Sequence, residues 1–309
     1  MRGPRSAPPP SLTLPRQKGV HARLRRAMGG GNRPRPAARI ESQNEIFAAN
    51  RAAGRILLAV ALQGATTRRR HVYEDGPLRI RFPNSGGPAL EAVIVNTAGG
   101  IAGGDRHDLD VSVEEGAALA VTTAAAEKVY RALGPPAEIA VRLSLEVRAR
   151  LAWLPQETIL FDRARLSRRI EVELAAGAAL LMVEAVVFGR SAMGETVEQG
   201  AFTDRWRVRR DGRLIFAETV RLDGPIARML AEPAVAGGGI AIATVLAVPG
   251  DEAMVDRARA RSFCGEAGIS AWNGLAAARL CAKDCASLRR DLTAVVAAFG
   301  GTPPRLWAH

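Results

Sequence analysis

Alternation of apolar and polar residues with a period of two dominates the middle of the chain. Three segments share one pattern, in which an alternating run and a short turn lead into Ala-x-Leu; they lie at residues 109–123, 141–156 and 170–185. Side chains of a strand alternate between two faces, so this period excludes a helix for these segments. The turn positions Gly116, Arg148 and Gly177 are 32 and 29 residues apart (148 − 116 and 177 − 148). Repeats of this length predict stacked strand–turn–strand units that bury a shared core.

Further β segments flank these repeats on both sides. Apolar or alternating runs occupy residues 55–63, 78–82, 92–95, 202–208 and 214–222. Asp211-Gly212 joins the last two runs, and this dipeptide is a strong signal for a two-residue hairpin turn.

The character of the chain changes again near the C-terminus. After an apolar run at 240–248, Asp251 is placed to cap one helix and Asp284 to cap another, whose apolar residues recur at helical spacing. Residues 270–281 are rich in alanine and fit either a strand or a helix. The sequence therefore predicts a mainly β fold of stacked, solenoid-like strands, with two helices near the C-terminus at about 251–262 and 284–299.

Two Gly-Gly pairs, at 99–100 and 103–104, precede Asp105 and the first repeat. Glycine accepts positive φ and lets two backbones approach closely, so the pairs predict a tight backbone crossing. A phosphate-binding P-loop would need Lys and Ser or Thr where Asp105 and Arg106 stand, and a helix rather than a strand would follow. A structural turn is the favoured interpretation of this loop.

The net charge of +12 comes mostly from one end of the chain. Residues 1–40 contain ten basic residues and no acid, which leaves 33 basic residues (43 − 10) against 31 acidic ones elsewhere. The same segment is rich in proline and glycine, so we expect a disordered basic arm at 1–40 and a single domain over 41–309. Binding of nucleic acid through the arm is one alternative function, and it would weaken steeply with salt.

Composition also bears on the compartment. No run approaches the roughly 18 apolar residues of a membrane span, and no apolar segment typical of a secretory signal follows the basic start. The three cysteines are an odd number and do not predict a disulfide framework. We expect a cytoplasmic protein without a membrane partner.

Few residues are spaced for metal binding or catalysis. His107 lies between Asp105 and Asp108, but a loop that solvates its own charges is the simpler interpretation of this cluster. A β-solenoid hydrolase that uses Asp105 and a second acid is the enzymatic alternative. Aromatic residues make up only 5% of the chain, however, which leaves few platforms for sugar rings.

Two acids lie in apolar β segments, Glu184 in LLMVEAVVF and Glu218 in LIFAETV. Carboxylates are rarely buried without a partner, so each is outward-facing, paired with an arginine, or functional. Arg190 and Arg221 lie near them in sequence.

Several strings together resemble one family, the urease accessory protein UreD, called UreH in some bacteria. They are AGGIAGGDRHDLDV (98–111), VTTAAAEKVYR (121–131), WLPQETILFDRA (153–164), FGRSAMGE (188–195) and the terminal PRLW (304–307). The chain departs from the family pattern in having Thr-Thr-Ala-Ala at 122–125 instead of Thr-Thr-Pro-Gly, and the arm has no counterpart.

The resemblance implies a scaffold rather than an enzyme. Members of the family bind UreF, and through it the GTPase UreG, and dock this assembly on apo-urease; two copies per assembly and no nucleic acid are expected. The resemblance implies no tightly bound cofactor but nickel in transit along an internal polar passage. The positions that match passage residues are Asp105, Glu127, Glu184 and Glu218, although Glu127 stands where the family has a small hydroxyl residue. Carboxylates and water hold nickel weakly, as a conduit requires.

Overall fold

The repeats form a coil of parallel strands that is flattened into two facing sheets. A computed structural model describes residues 51–84, 89–190 and 193–308. The predicted arm at 1–40 lies outside these residues. The strands, in chain order, are β1 (Ala53–Gln63), β2 (Thr66–Asp75), β3 (Leu78–Arg81), β4 (Leu90–Asn96), β5 (Arg106–Val113), β6 (Ala118–Thr123), β7 (Glu127–Val129), β8 (Ala137–Leu145), β9 (Arg150–Trp153), β10 (Thr158–Leu160), β11 (Arg165–Leu174), β12 (Ala179–Phe188), β13 (Gly200–Arg210), β14 (Arg213–Gly224), β15 (Ala241–Val248), β16 (Glu266–Trp272) and β17 (Leu275–Ala282). The helices are α1 (Ile226–Ala231), α2 (Glu252–Arg259), α3 (Cys285–Ala298) and a short 3-10 helix (Arg305–Ala308).

The chain passes repeatedly from one sheet to the other between β4 and β13. The first sheet has the order β14-β13-β11-β8-β5-β1-β2, and its five inner strands are parallel to one another. The second sheet has the order β16-β17-β15-β12-β9-β6-β4-β3, and the short strands β7 and β10 attach beside β12. The mainly β, solenoid-like architecture predicted from the sequence is therefore confirmed.

The strand register reproduces the predicted repeat. Leu109 of β5 pairs with Val141 of β8, which is 32 residues further along the chain. Val141 pairs in turn with Ile170 of β11, which is 29 residues further. These offsets equal the spacing of the three turn positions, so each repeat is one turn of the coil.

The three turn positions form a stacked corner of the coil. Gly116, Arg148 and Gly177 all have left-handed backbone conformations, with φ of 67°, 57° and 69°. The N–H of Gly116 donates to the carbonyl of Val147, and that of Arg148 to the carbonyl of Ala176. Each corner thus bonds to the equivalent corner of the next repeat, which holds successive turns of the coil in a stack.

Helices α2 and α3 cover the outer face of the second sheet. Apolar residues of β12, β15 and β17 pack against Val255, Leu288 and Val295 of the helices. The side chains of Asp251 and Asp284 accept hydrogen bonds of 2.8 Å from backbone N–H groups in the first turns, which confirms both predicted caps. Because β12 and β15 are covered on both faces, their sequences are almost continuously apolar.

The alanine-rich segment near the C-terminus forms a hairpin, β16–β17. Its turn residues Asn273 and Gly274 have φ of 49° and 74°. The turn predicted between β13 and β14 has nearly the same conformation, since Asp211 and Gly212 have φ of 50° and 74°. Ala276 and Ala278 of β17 are buried beneath the helices. Small side chains at these positions let the helices approach the sheet, so their helix propensity does not decide the structure.

The Gly-Gly loop makes the predicted close crossing. A Cβ on Gly103 would lie 2.5 Å from the Cβ of Ala132 and 2.9 Å from the carbonyl oxygen of Pro135. Between the two glycine pairs, Ile101 is buried and its N–H donates to the carbonyl of Lys128 at 2.7 Å. The loop therefore inserts one apolar side chain into the core.

Candidate functional site

A cavity of about 480 Å³ lies between the two sheets, beyond the last turn of the coil. Strands β13 and β14 of the first sheet form one wall, and β12, β15, β16 and β17 of the second sheet form the other. Most of the lining is apolar and includes Val186, Phe202, Trp206, Val220 and Ile242. Four carboxylates also line it, and they belong to Glu184, Asp204, Glu218 and Glu266.

Strand alternation directs Glu184 into this cavity. In β12, Val183 and Ala185 pack towards the helices, so the residue between them faces the first sheet. Glu184 pairs across the ladder with Thr244 of β15, and Thr244 with Arg279 of β17. The second sheet thus presents an acid, a hydroxyl and a guanidinium in one row.

A buried arginine joins this row to the first sheet. The Nε and Nη2 atoms of Arg168 donate to the carboxylate of Asp204 at 3.0 and 2.5 Å, and its Nη1 donates to Oε2 of Glu184. The hydroxyl of Thr158 lies 3.3 Å from the same Nη1, and the indole N–H of Trp153 donates to Oε1 of Glu184 at 2.9 Å. One guanidinium, 4% exposed, is therefore shared between two acids.

Burial sets the protonation of this network. It raises the pKa of Glu184 to about 7, because the positive charge of Arg168 offsets the loss of solvation only in part. The negative charge of Asp204 raises the pKa of Glu184 further. Burial also opposes the charge of Arg168, but Asp204 and Glu184 together hold its pKa above the usual range. Glu184 can consequently gain or lose a proton near neutral pH.

A second ion pair bridges the mouth of the cavity. Oε1 of Glu218 accepts from the hydroxyl of Thr244 at 3.0 Å, and Oε2 accepts from Nη2 of Arg279 at 2.7 Å. The Glu218 side chain is 8% exposed, whereas that of Arg279 is 61% exposed and reaches in from solvent. Beside it, Glu266 and Cys281 are cross-strand neighbours that both line the cavity. Burial and the nearby charge of Glu266 raise the pKa of the Cys281 thiol.

The cavity carries an excess of negative charge. Its four carboxylates contribute −4 when ionised, and Arg168 and Arg279 contribute +2, so the sum is −2. Protonation of Glu184 reduces this sum to −1. Such a site favours a cation, and the two guanidiniums compete with that cation for the same oxygens.

The other two predicted passage residues do not line this cavity. Asp105 is buried in the Gly-Gly loop, where its two oxygens accept from the backbone N–H groups of Ala52 at 2.9 Å and Ala102 at 2.8 Å. This carboxylate holds the loop closed.

His107 points inward and is buried, whereas Asp108 faces outward to Arg142, so the three neighbouring residues do not converge.

Glu127 lies on β7, where it is partly buried. The side-chain amide of Asn96 donates to its Oε1 at 3.0 Å, and burial raises its pKa to about 7. Within residues 51–84, 89–190 and 193–308, no group of three or more His, Cys, Asp or Glu side chains is arranged to hold a metal ion.

Replacing Glu127 by glutamine should stabilise the protein at alkaline pH. A folded-state pKa above the ordinary value of 4.5 means that the protonated acid stabilises the fold, and that this stabilisation is lost as the pH rises through about 7. Glutamine can still accept from Asn96 but does not ionise. At about pH 8 we expect a gain of up to about 3 kcal/mol in the free energy of unfolding, with little change near pH 5. Urea denaturation at both pH values measures this, and a variant less stable than wild type at high pH would contradict it.

Sequence reasoning missed Arg168 and Asp204, although both leave a signal. In β11, Arg168 lies on the inward-facing side of the strand, between the buried residues Leu166 and Ile170. In β13, Asp204 likewise lies on the inward-facing side of the strand, between the buried residues Phe202 and Trp206. A charged residue in the apolar phase of an alternating strand indicates a buried ion pair.

The arginines nearest in sequence to the two predicted acids bind elsewhere. Arg190 pairs with Glu195, and Arg221 pairs with Asp223. Glu184 and Glu218 are paired with Arg168 and Arg279 instead, because the partners come from strands that the fold brings together.

Comparison with known proteins identifies the family. The family model described as UreD urease accessory protein matches residues 52–308. The chain belongs to the UreD family. A urease accessory protein UreD of Rhodopseudomonas palustris (strain BisB18) is 60% identical over 265 residues, which are 85% of this chain and 96% of that protein. The UreD of Bradyrhizobium diazoefficiens is 57% identical over 268 residues, 86% of this chain and 97% of that protein. The UreD of R. palustris strain BisA53 is 55% identical over 286 residues, 91% of this chain and all of that protein.

The resemblance seen in the sequence strings is thus confirmed, and the chain has the role of a urease accessory protein. Among the described residues of this chain, no helix is long and apolar enough to cross a membrane.

Proposed function

We propose that the chain is a non-catalytic scaffold that passes nickel to apo-urease through the cavity between its two sheets. The observation that carries the proposal is the excess of carboxylates over guanidiniums in a cavity with otherwise apolar walls. Nickel is here the cargo and not a resident cofactor. Carboxylate oxygens and water hold it weakly, whereas clustered imidazoles or thiolates would retain it.

The ion pairs suit transit better than storage. A cation that reaches Glu218 competes with Arg279, which can swing out because it is mostly exposed. A cation that reaches Glu184 displaces a proton, because burial brings the pKa of this acid to about 7. Both steps cost binding energy, and a carrier that must release its cargo gains from low affinity.

An enzymatic role is not favoured by the placement of the acids. A glycosidase needs two carboxylates that face the substrate across a cleft. Both oxygens of Asp105 accept backbone hydrogen bonds, one from Ala102 in its own loop and one from Ala52 before β1, so this residue lacks the freedom of a general acid or nucleophile.

The proposed partners are UreF, the GTPase UreG bound through UreF, and apo-urease, with two copies of the chain per assembly in the cytoplasm. The names of the relatives and their identity over nearly their whole length support a role in urease maturation, and the individual partners follow from the family resemblance.

Co-expression tests the scaffold role. A tagged chain produced with UreF, UreG and apo-urease should co-purify with all three and should be required for urease activity. Urease that reaches full activity without the chain, or a chain that captures none of these proteins, would contradict the proposal. The amount of soluble, folded chain in the same lysate is measured as a control, so that a failure to co-purify is not due to poor expression.

A further inference from the structure

The outer face of the first sheet, which points away from the second sheet, is divided into two halves by the pairing of its charges. On β1, β5 and β8 the arginines are neutralised. Arg106 binds Glu138 at 2.7 Å, Arg142 binds Asp110, and Arg55 lies 3.7 Å from the same Asp110. These three strands therefore offer little net charge to a partner, although Arg68 on the edge strand β2 is exposed and has no partner among the described residues.

The half formed by β11 and β13 is different. Arg165, Arg169 and Arg205 are exposed there and have no hydrogen-bond or salt-bridge partner among the residues that the structure describes. Arg169 and Arg205 are direct neighbours in the parallel register of these strands. Like charges at adjacent positions of a sheet destabilise it. The isolated fold thus retains a repulsion that an external anion would relieve.

The surroundings extend this cationic area. Arg209 and Arg221 continue it along β13 and β14, and their carboxylate partners are themselves more than half exposed. A hollow of about 240 Å³ lies beside Arg169, and its lining also includes Asp108 and the ion pair of Arg106 with Glu138, so acidic groups adjoin the arginines on that side.

We propose that this arginine patch, made of Arg165, Arg169, Arg205, Arg209 and Arg221, docks an acidic surface of a protein partner. The proposal rests on the scaffold role proposed above and adds to it the face through which one partner binds. The cavity lies on the other side of the same strands, so a partner on the patch would leave the cavity mouth free.

The composition of the face favours a protein over a nucleic acid. No aromatic side chain projects from the outer face of β11, β13 or β14 in their described residues, and stacking on aromatic side chains is a main source of affinity for single strands. Glu171, Glu173 and Asp223 are interspersed with the arginines and would repel phosphates. A mixed pattern of charges is instead typical of complementary protein surfaces.

Charge reversal tests the patch. The variant Arg169→Glu/Arg205→Glu changes two exposed residues without removing a described contact. Arg261→Glu/Arg290→Glu makes the same change of charge at two exposed positions near the helices and serves as the control. Four probes are used with the full chain, namely apo-urease, the UreF–UreG complex, a fluorescent poly-glutamate peptide and a duplex DNA oligonucleotide. All variants keep residues 1–40, so differences between them report on the patch and not on the basic arm.

We expect Arg169→Glu/Arg205→Glu to bind the peptide and one of the two protein probes at least roughly tenfold more weakly, and with a weaker dependence on salt. The control should keep wild-type affinities. Wild-type affinity of Arg169→Glu/Arg205→Glu for both protein probes would overturn the docking face and leave the scaffold role intact. If the wild-type chain binds neither protein, the scaffold role fails. If the peptide binds equally well to all variants, the arginine patch is not a site for acidic groups. Binding of duplex DNA that disappears only in Arg169→Glu/Arg205→Glu would also overturn it.

Discussion

Replacing Arg168 by methionine should lower the free energy of unfolding by about 3–5 kcal/mol. The guanidinium is the only group that pairs with both Glu184 and Asp204 among the described residues, and all three side chains are less than a tenth exposed. Methionine fills most of the volume but leaves two carboxylates buried without a counter-ion. Glu184 can respond by taking up a proton, which costs free energy relative to the ionised group in the unfolded chain, while Asp204 remains an unpaired buried acid. Urea denaturation should register the combined loss directly.

Two further variants separate charge from packing. Arg169→Met changes the next residue of β11, which points outward and is exposed, and should alter stability by less than about 0.5 kcal/mol. Arg168→Met/Glu184→Gln/Asp204→Asn removes the stranded charges and should recover part of the lost stability. A small effect of Arg168→Met alone would show that the network contributes little to the fold.

The double variant Glu184→Gln/Glu218→Gln should unfold near the wild-type temperature and yet yield urease with much less nickel and activity. Arg168 keeps Asp204 as its partner when Glu184 becomes neutral, and Arg279 is exposed enough to be solvated when Glu218 does. Stability is therefore largely kept, because no buried charge loses its last partner. The ionised cavity would instead carry a charge of 0 (−2 from Asp204 and Glu266, +2 from the two arginines) and would no longer attract a divalent cation.

A matched change on the surface controls for this experiment. Glu198→Gln/Glu252→Gln alters two exposed acids outside the cavity and should leave urease maturation at the wild-type level. Full nickel content in urease matured with Glu184→Gln/Glu218→Gln would exclude these acids from the nickel path. Marked thermal destabilisation, or loss of the assembly with UreF and UreG, would instead assign them to the fold.

Most of the fold could be predicted from the sequence because its determinants are local. The period of the coil is visible at Gly116, Arg148 and Gly177, and the structure places all three at equivalent corners. The caps Asp251 and Asp284 act within one turn of their helices. The hairpin β16–β17 was the ambiguous element, since alanine content obscured it, although Asn273-Gly274 is as strong a turn signal as Asp211-Gly212.

The site could be predicted only in part, because its partners are distant in sequence. The sequence identifies Glu184 and Glu218 as acids in apolar strands, and the structure brings both to one cavity. Their arginines could not be found from proximity in sequence, since Arg279 lies 61 residues from Glu218 and binds it across the two sheets. Asp105 carries the same chemical group but closes a loop, and only the backbone path distinguishes the two roles.

Filling the cavity tests the passage of nickel through it without changing a charge. Gly268 of β16 lines the cavity in the row of Arg279, and a Cβ there would meet no described atom within 4 Å. Gly134→Phe is the matched control, since Gly134 is equally unobstructed but lies in the loop before β8.

The measurement is the nickel content of urease purified after maturation with each variant. We expect that Gly268→Phe assembles with UreF, UreG and apo-urease but leaves urease largely free of nickel, while Gly134→Phe gives the wild-type content. Urease with full nickel content after maturation with Gly268→Phe would contradict passage through this cavity.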